Sequence, residues 1–222
     1  MKQSQQKKWK SAIGQFFLTG FVLIAVFLLL SWLVSYVGDY PDEVQNRQGY
    51  SEQYPALSEQ IWEYRPLVEK YAEQYGVAEH VSTILAMMMQ ESGGRGNDPM
   101  QSSESLCGEI GCIDDPERSI EQGVSFFALS IENAEGDVEL AVQAYNFGQG
   151  FIQYIEEEQE GYSEEAAIAF SQKMYQEAGK EESIYSCRRA EAEELEACYG
   201  DIYYVPSVMS YKQAIEAELE KG

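Results

Sequence analysis

The sequence predicts a mainly α-helical domain that follows a single N-terminal transmembrane helix. A long uncharged run near the N-terminus predicts the membrane helix, and apolar residues recur at helical spacing through most of the remaining chain. Strand alternation is weak everywhere. The best strand candidate is the run 201–205, which Pro206 ends.

The first 38 residues have the composition of a membrane anchor. No charged side chain occurs between residues 11 and 38, whereas a helix rising about 1.5 Å per residue needs roughly 20 apolar residues to cross a bilayer core of about 30 Å. A cleaved signal peptide is the alternative, but its apolar region is usually about 7 to 15 residues long and ends at a small-x-small site. The approach to Gly38 is a poor site of that kind, so an uncleaved anchor over residues 11–38 is expected.

The charges that flank this run set its orientation. Residues 1–10 carry four lysines and no acid, and the acidic residues begin at Asp39. A lysine-rich flank stays on the cytoplasmic side of a membrane helix. We therefore expect a cell-membrane protein with a single pass, a cytoplasmic basic tail over residues 1–10 and an extracytoplasmic C-terminal part.

The expected outer part is strongly acidic. The chain has 15 Lys and Arg against 38 Asp and Glu, a net charge of −23, and four of its bases precede the anchor. Such a charge repels nucleic acid and anionic lipid surfaces, so nucleic-acid binding is disfavoured. His80 is the single histidine, which argues against a zinc site, and neither a metal nor a cofactor is expected.

Residues 39–55 and 56–222 differ in pattern. Residues 39–55 are rich in Asp, Glu, Gln, Tyr and Gly, contain two prolines and show no apolar period, which predicts a linker. Residues 56–222 are enough for one core of ordinary size and show no internal repeat. A single folded domain is therefore expected over residues 56–222, after the linker.

Helix stripes and helix caps recur through this domain. Two apolar stripes have the i, i+3, i+4, i+7 type of spacing and predict core faces; they are Val81, Ile84, Leu85 and Met88, and Ile120, Val124, Phe127 and Ile131. Asp115 before Pro116, Asp137 and Ser163 are predicted N-caps. Gly136 and Gly148 are predicted helix stops.

Four cysteines lie on the expected outer side, where disulfides persist. None forms a Cys-x-x-Cys pair, so structural disulfides are favoured over a metal site. Three connectivities are possible, and the short spacings favour Cys107 with Cys112 and Cys187 with Cys198.

The segment 90–94, Gln-Glu-Ser-Gly-Gly, places a carboxyl at the end of an apolar stretch. The preceding residues 84–89 are Ile-Leu-Ala-Met-Met-Met, and the two glycines predict that the helix stops just after Glu91. Apolar surroundings and the negative end of the helix dipole both raise the pKa of a carboxyl. A general acid for glycosidic cleavage needs such a retained proton, although an ordinary exposed glutamate that ends a helix would have the same local sequence.

Two further segments accompany Glu-Ser-Gly-Gly at 91–94. They are Asp-Pro-Met-Gln-Ser-Ser-Glu-Ser at 98–105 and Ala-Tyr-Asn-Phe-Gly-Gln-Gly at 144–150. Together the three resemble the lysozyme-like domain shared by soluble lytic transglycosylases and goose-type lysozymes. They are most similar to bacterial lysozyme-family peptidoglycan hydrolases, including those of Gram-positive conjugative elements. The run Cys-Tyr-Gly-Asp-Ile-Tyr-Tyr-Val at 198–205 is similar to the C-terminal signature of that subgroup, and the resemblance covers about residues 58–212.

The resemblance implies a lysozyme-like helical domain with a substrate groove. It implies a muramidase that cuts peptidoglycan at the β-1,4 bond between N-acetylmuramic acid and N-acetylglucosamine, with Glu91 as the catalytic acid. Tyr145 and Asn146 would hold the saccharide at the cleavage subsite, and Met100 would pack beneath the groove. The groove itself would be lined by the turn that contains Gln101, Ser102, Ser103 and Glu104.

The second catalytic group is left open by the sequence. An inverting hydrolase needs a base about 6.5 to 9.5 Å from the acid, and a retaining hydrolase needs a nucleophile at about 5 Å. Asp98, seven residues beyond Glu91 across the glycine turn, is the first candidate, and Glu104 is the second. A lytic transglycosylase needs neither, because the C6 hydroxyl of N-acetylmuramic acid attacks the anomeric carbon. The subgroup resemblance favours hydrolysis.

A non-catalytic glycan-binding scaffold of an envelope complex is the other alternative. Some members of the subgroup carry a cysteine-peptidase domain, for which this sequence ends too early, so only glycan cleavage is expected. The expected partners are peptidoglycan glycan strands and the membrane, and a cell-envelope or conjugation machine is a further partner that the subgroup suggests.

Overall fold

The computed structural model describes residues 54–158, 161–181 and 183–221. The predicted tail, the anchor and nearly all of the predicted linker lie outside these residues. Among the residues that are described, no helix has the length and apolar character needed to cross a bilayer.

The described part of the chain is mainly helical and contains no strand. Its helices, in chain order, are α1 (Glu59–Gln74), α2 (Val81–Glu91), α3 (Ser103–Cys107), α4 (Pro116–Asn133), α5 (Val138–Phe147), α6 (Gly150–Glu158), α7 (Glu164–Glu177), α8 (Ala190–Glu194) and α9 (Tyr204–Leu219). A short 3-10 turn, Ala78–His80, leads into α2.

The predicted starts of α4, α5 and α7 are confirmed. The side chains of Asp115, Asp137 and Ser163 each accept a backbone N–H from the first turn that follows, at 2.9, 3.0 and 3.1 Å. Gly148 stops α5 with φ +82°, a left-handed conformation that favours glycine. Each of these signals depends on residues that are close together in the sequence, which is why the sequence alone could predict them.

The best strand candidate, residues 201–205, does not form a strand. Residues 202 and 203 form a turn, and Tyr204 begins α9. Pro206 lies in the first turn of that helix, where the missing N–H costs nothing because the first four N–H groups have no intrahelical acceptor. Ile202, Tyr204 and Val205 are buried, and a short buried apolar run has the same pattern in a helix as in a strand.

Helix α2 lies in the core and carries Glu91 at its C-terminal end. Residues 83–88 are all buried, and the helix packs against both α1 and α9. A helix that is apolar all round is buried all round. The predicted stripe through Ile84, Leu85 and Met88 therefore describes only part of the buried surface, since Met87 is also fully buried.

Helix α4 packs against α1 and α5 and approaches the turn that precedes α3. The stripe residues Ile120, Val124 and Phe127 are buried as predicted. A Cβ atom at Gly123 would lie 2.7 Å from Cβ of Met100 and 2.8 Å from Oη of Tyr145. Only a glycine allows this approach, which places Met100 fully buried beneath Tyr145.

Two disulfides join the pairs that the spacing favours. Cys107 is bonded to Cys112, which closes the loop after α3. Cys187 is bonded to Cys198, which ties the segment before α8 to the turn before α9. The second disulfide therefore lies close in sequence to Tyr204.

Candidate active site

Glu91 is the last residue of α2, and glycines shape the turn that follows it. Gly93 has φ +66°, and its N–H donates to the carbonyls of Met88 and Met89. A Cβ at Gly94 would lie 3.0 Å from Cβ of Gln60, so the turn lies directly against α1.

Burial determines the protonation of Glu91. Tyr204 donates its hydroxyl to Oε1 of Glu91 at 2.6 Å. Burial raises the pKa of Glu91 to about 7, although the Tyr204 bond and the charge of Arg188 lower it, and the charges of Asp98 and Asp201 raise it further. The carboxyl therefore keeps its proton close to neutral pH, as predicted for a helix-end glutamate in apolar surroundings.

This raised pKa predicts a pH-dependent stability cost. Below pH 4.5 Glu91 is protonated in both the folded and the unfolded chain, and above about pH 7 it is ionised in both. The folded state is destabilised progressively between these values, because the unfolded chain ionises first. We expect Glu91→Gln to gain up to about 3 kcal/mol of unfolding free energy relative to the wild type at pH 8, measured by urea denaturation. An equal difference between the two proteins at pH 4 and pH 8 would contradict this cause.

Asp98 is enclosed by serine donors. Its Oδ1 accepts the N–H of Ser102 at 2.9 Å and the hydroxyl of Ser119 at 2.6 Å. Its Oδ2 accepts the N–H of Ser103 at 3.1 Å and the hydroxyl of Ser103 at 2.6 Å. Burial raises the pKa of Asp98, but these hydrogen bonds outweigh burial and hold its pKa below the usual value. Asp98 therefore stays ionised where Glu91 stays protonated.

A hydrogen bond links the residue that follows Glu91 to the residue that follows Asp98. Ser92, next to Glu91, donates its hydroxyl to the carbonyl of Pro99 at 2.7 Å. The negative charge of Asp98 acts on Glu91 and favours the protonated form of Glu91. Two carboxyl groups whose environments push their pKa values apart are the usual arrangement of an acid and its anionic partner.

A cleft of about 300 Å³ brings together most of the sugar-binding candidates. Its size is at the lower end of ligand-binding clefts. Five of the six candidates line it, together with aromatic side chains of α4, of α5 and of the turn before α9. The lining residues are Gln101, Ser102, Glu104, Ser105, Phe126, Tyr145, Asn146, Phe147, Gly148 and Tyr199.

Ser103 is the sugar-binding candidate that does not line the cleft, and the catalytic candidates Glu91 and Asp98 are not among its lining residues either. Its hydroxyl donates to Asp98 and accepts the N–H of Ile113 at 3.2 Å, and the side chain is buried. Ser102 lines the cleft, but its hydroxyl donates to the carbonyl of Ser119 at 2.9 Å. Both hydroxyls thus hold the turn in place around Asp98.

Gln101 occupies a left-handed backbone conformation at the exposed tip of this turn. Its φ is +48°, which is costly for a residue with a side chain and is commonest at functional sites. Its Nε2 donates to the carbonyl of Asp98 at 2.8 Å, and the residue lines the cleft.

Tyr145 and Asn146 lie near the end of α5. Tyr145 donates its hydroxyl to the carbonyl of Met100 at 2.8 Å and packs edge-on against Phe126 with ring centroids 5.6 Å apart. Asn146 accepts the N–H of Asp201 on Oδ1 at 2.7 Å. Because that oxygen is occupied, the amide NH₂ group of Asn146 is the part that can donate to a ligand.

Sequence reasoning missed Tyr204, Asp201 and Arg189 as site residues. Tyr204 and Asp201 fall in the run 198–205, which was singled out as a C-terminal signature and could have identified them. Arg189 gave no sequence signal. Among the residues that the structure describes, no group of His, Cys, Asp and Glu side chains is arranged to hold a metal ion.

Comparison with known proteins identifies the family of this domain. The family model described as Lysozyme-like matches residues 58–212. The membrane protein YocA of Bacillus subtilis is 34% identical over 215 residues, which cover 95% of this chain and 93% of YocA. The bifunctional muramidase/DL-endopeptidase CwlT of Bacillus subtilis is 38% identical over 195 residues, which cover 88% of this chain and 54% of CwlT.

A solved structure has a similar fold. It is a Staphylococcus aureus protein of the NLP/P60 family, described as similar to a lipoprotein; it is 34% identical, with a TM-score of 0.61, and the match covers 71% of this chain and 54% of that chain. The chain thus spans about half the length of CwlT and of this Staphylococcus aureus protein. The extent of the family match and the identity to YocA and CwlT establish that the chain belongs to the Lysozyme-like family and is a glycoside hydrolase.

Proposed function

We propose that this protein is a muramidase that hydrolyses the β-1,4 bond between N-acetylmuramic acid and N-acetylglucosamine in peptidoglycan, with Glu91 as the proton donor. The observation that carries the proposal is the state of Glu91, a helix-end carboxyl whose pKa is raised to about 7 by burial. Such a group gives its proton to the leaving oxygen of a glycosidic bond at neutral pH.

The cleft chemistry suits an N-acetylated sugar. Asn146 offers an amide donor for an acetamido carbonyl, and Gln101 offers an amide oxygen for a sugar hydroxyl. Phe126, Tyr145 and Tyr199 provide aromatic surface for the apolar face of a pyranose ring. Glu104 adds a carboxylate acceptor at the cleft wall.

Asp98 is the proposed second catalytic group, and it would act through its charge. Both of its oxygens already accept hydrogen bonds from serines, so its pKa stays low and its negative charge persists beside Glu91. A fixed negative charge favours the positive charge that develops on the anomeric carbon in an oxocarbenium-like transition state. Glu104, exposed at the cleft, is the second candidate for activation of water.

The same occupied oxygens favour one alternative reaction. A lytic transglycosylase needs no carboxylate to activate water, because the C6 hydroxyl of N-acetylmuramic acid is the nucleophile. The similarity to CwlT, which is named as a muramidase, supports hydrolysis.

The chemistry of the released ends separates the two reactions. We expect purified protein to release soluble muropeptides from insoluble peptidoglycan, with reducing N-acetylmuramic acid at the new ends, measured by mass spectrometry. Products that carry predominantly 1,6-anhydro ends would overturn hydrolysis in favour of transglycosylation. A wall left intact across the pH range 4.5 to 8 would favour a non-catalytic glycan-binding scaffold instead.

We further propose that residues 11–38 anchor the protein in the cell membrane, with the N-terminus cytoplasmic and the catalytic domain extracytoplasmic. The uncharged run, its lysine-rich flank and the similarity to the membrane protein YocA support this topology. An anchored enzyme cuts only wall close to the membrane, which suits wall growth or a local passage for an envelope or conjugation machine.

A further inference from the structure

The turn 198–203, which leads into α9, is fixed to the end of α5. Tyr199 donates its hydroxyl to the carbonyl of Phe147 at 2.7 Å. A Cβ at Gly200 would lie 2.6 Å from the Phe147 ring and 2.7 Å from Oδ1 of Asn146. The turn is thus packed against residues that line the cleft.

An ion pair holds the centre of this turn. Arg189 donates from Nε to Oδ1 of Asp201 at 2.7 Å and from Nη2 to Oδ2 at 2.8 Å. Its Nη2 also donates to the hydroxyl of Ser207 in α9 at 3.0 Å. Asp201 is buried, and a paired fork of this kind fixes the orientation of the carboxylate as well as its position.

We propose that Arg189 and Asp201 form a positioning pair for the active site, because the backbone of Asp201 holds one cleft residue directly and leads into the residue that contacts Glu91. The N–H of Asp201 donates to Asn146, and its carbonyl accepts Nε2 of Gln143 at 3.0 Å. Tyr204, three residues later, donates to Glu91. The inference rests on the proposed role of Glu91 as general acid.

A second ion pair, between Lys180 and Glu196, lies outside the cleft lining and serves for comparison. Lys180 and Glu196 are 2.6 Å apart, and both side chains are largely exposed to solvent. Exposed pairs contribute little to stability, and neither residue lines the cleft. This pair is the matched control for Arg189 and Asp201.

The charge of Asp201, which is paired with Arg189, also acts on Glu91. Among the described residues, the groups whose charge or hydroxyl acts on Glu91 include Tyr204, Tyr145, Asp98, Asp201 and Arg188. Removal of Arg189 leaves the negative charge of Asp201 uncompensated, which favours protonated Glu91. Removal of the Asp201 charge has the opposite effect. The two single substitutions therefore move the pKa of Glu91 in opposite directions.

The test compares kcat, KM and the pH profile of kcat/KM on soluble uncrosslinked glycan strands. We expect Arg189→Gln, Asp201→Asn and the double variant each to lose kcat by roughly tenfold to a hundredfold, with a smaller change in KM. The alkaline limb of the profile should move to higher pH in Arg189→Gln, to lower pH in Asp201→Asn, and back towards the wild type in the double variant. Lys180→Gln should match the wild type in all three quantities.

Arg189→Lys keeps the charge but loses the paired fork. We expect Arg189→Lys to lower kcat without moving the alkaline limb. This variant replaces Arg189→Gln in the test if the glutamine variant does not fold. The proposal is overturned if the variants lose activity only in proportion to their folded fraction, measured by circular dichroism, with the limb unchanged. A wild type that releases no muropeptides, or a fully active Glu91→Gln, would instead overturn the proposed function.

Discussion

Glu91→Gln is expected to lower kcat for glycan cleavage by about 10²–10⁴-fold, the usual contribution of a general acid. Glutamine has the shape of glutamate and can still accept the Tyr204 hydroxyl, but it has no proton to give to the leaving oxygen. The cleft residues are unchanged, so the variant should still sediment with insoluble peptidoglycan. Release of soluble muropeptides and co-sedimentation with the wall are the two measurements.

The wild type provides the pH signature of the same group. Because the pKa of Glu91 is raised to about 7, its kcat/KM should fall as the pH rises through that value, and the residual rate of Glu91→Gln should lack this limb. Glu73→Gln removes an exposed carboxylate from α1 and is the control for the change in net charge. A Glu91→Gln protein that cleaves as fast as Glu73→Gln would exclude Glu91 as the acid.

The helix starts and the glycine stops were predictable because each depends on residues within one turn. Asp115, Asp137 and Ser163 cap the helices that they precede in sequence. The run 201–205 was the best strand candidate, but it is not a strand, because its apolar residues are buried by packing and not by sheet pairing. Local pattern determines where a helix starts, but a short buried segment takes its form from its neighbours.

The site was predictable only where its residues stand in the three motif segments. Glu91, Asp98 and Tyr145 could be named from the sequence, whereas the contact of Tyr204 with Glu91 joins residues 113 positions apart. The same limit applies to Asp98, whose environment depends on Ser119 of α4 as well as on its own turn. Only the fold could show that both of its oxygens are occupied.

Asp98→Asn is expected to lower kcat by about 10²-fold, in the range found when one electrostatic stabiliser of a transition state is removed. The substitution replaces a permanent negative charge that acts on Glu91 by a neutral amide. It also removes an acceptor that serves both the N–H and the hydroxyl of Ser103. Loss of this partly buried acceptor should cost about 1 kcal/mol of unfolding free energy, measured by denaturation, so rates are compared per folded molecule.

The charge of Asp98 also affects the pKa of Glu91. Since this charge favours protonated Glu91, its removal should move the alkaline limb of kcat/KM to lower pH. Glu104→Gln is the variant to compare, because it removes the other candidate carboxylate at the cleft and leaves the serine bonds of Asp98 intact. If Glu104→Gln loses more activity than Asp98→Asn, then Glu104 is the second catalytic carboxylate, and Asp98 serves the fold of the turn alone.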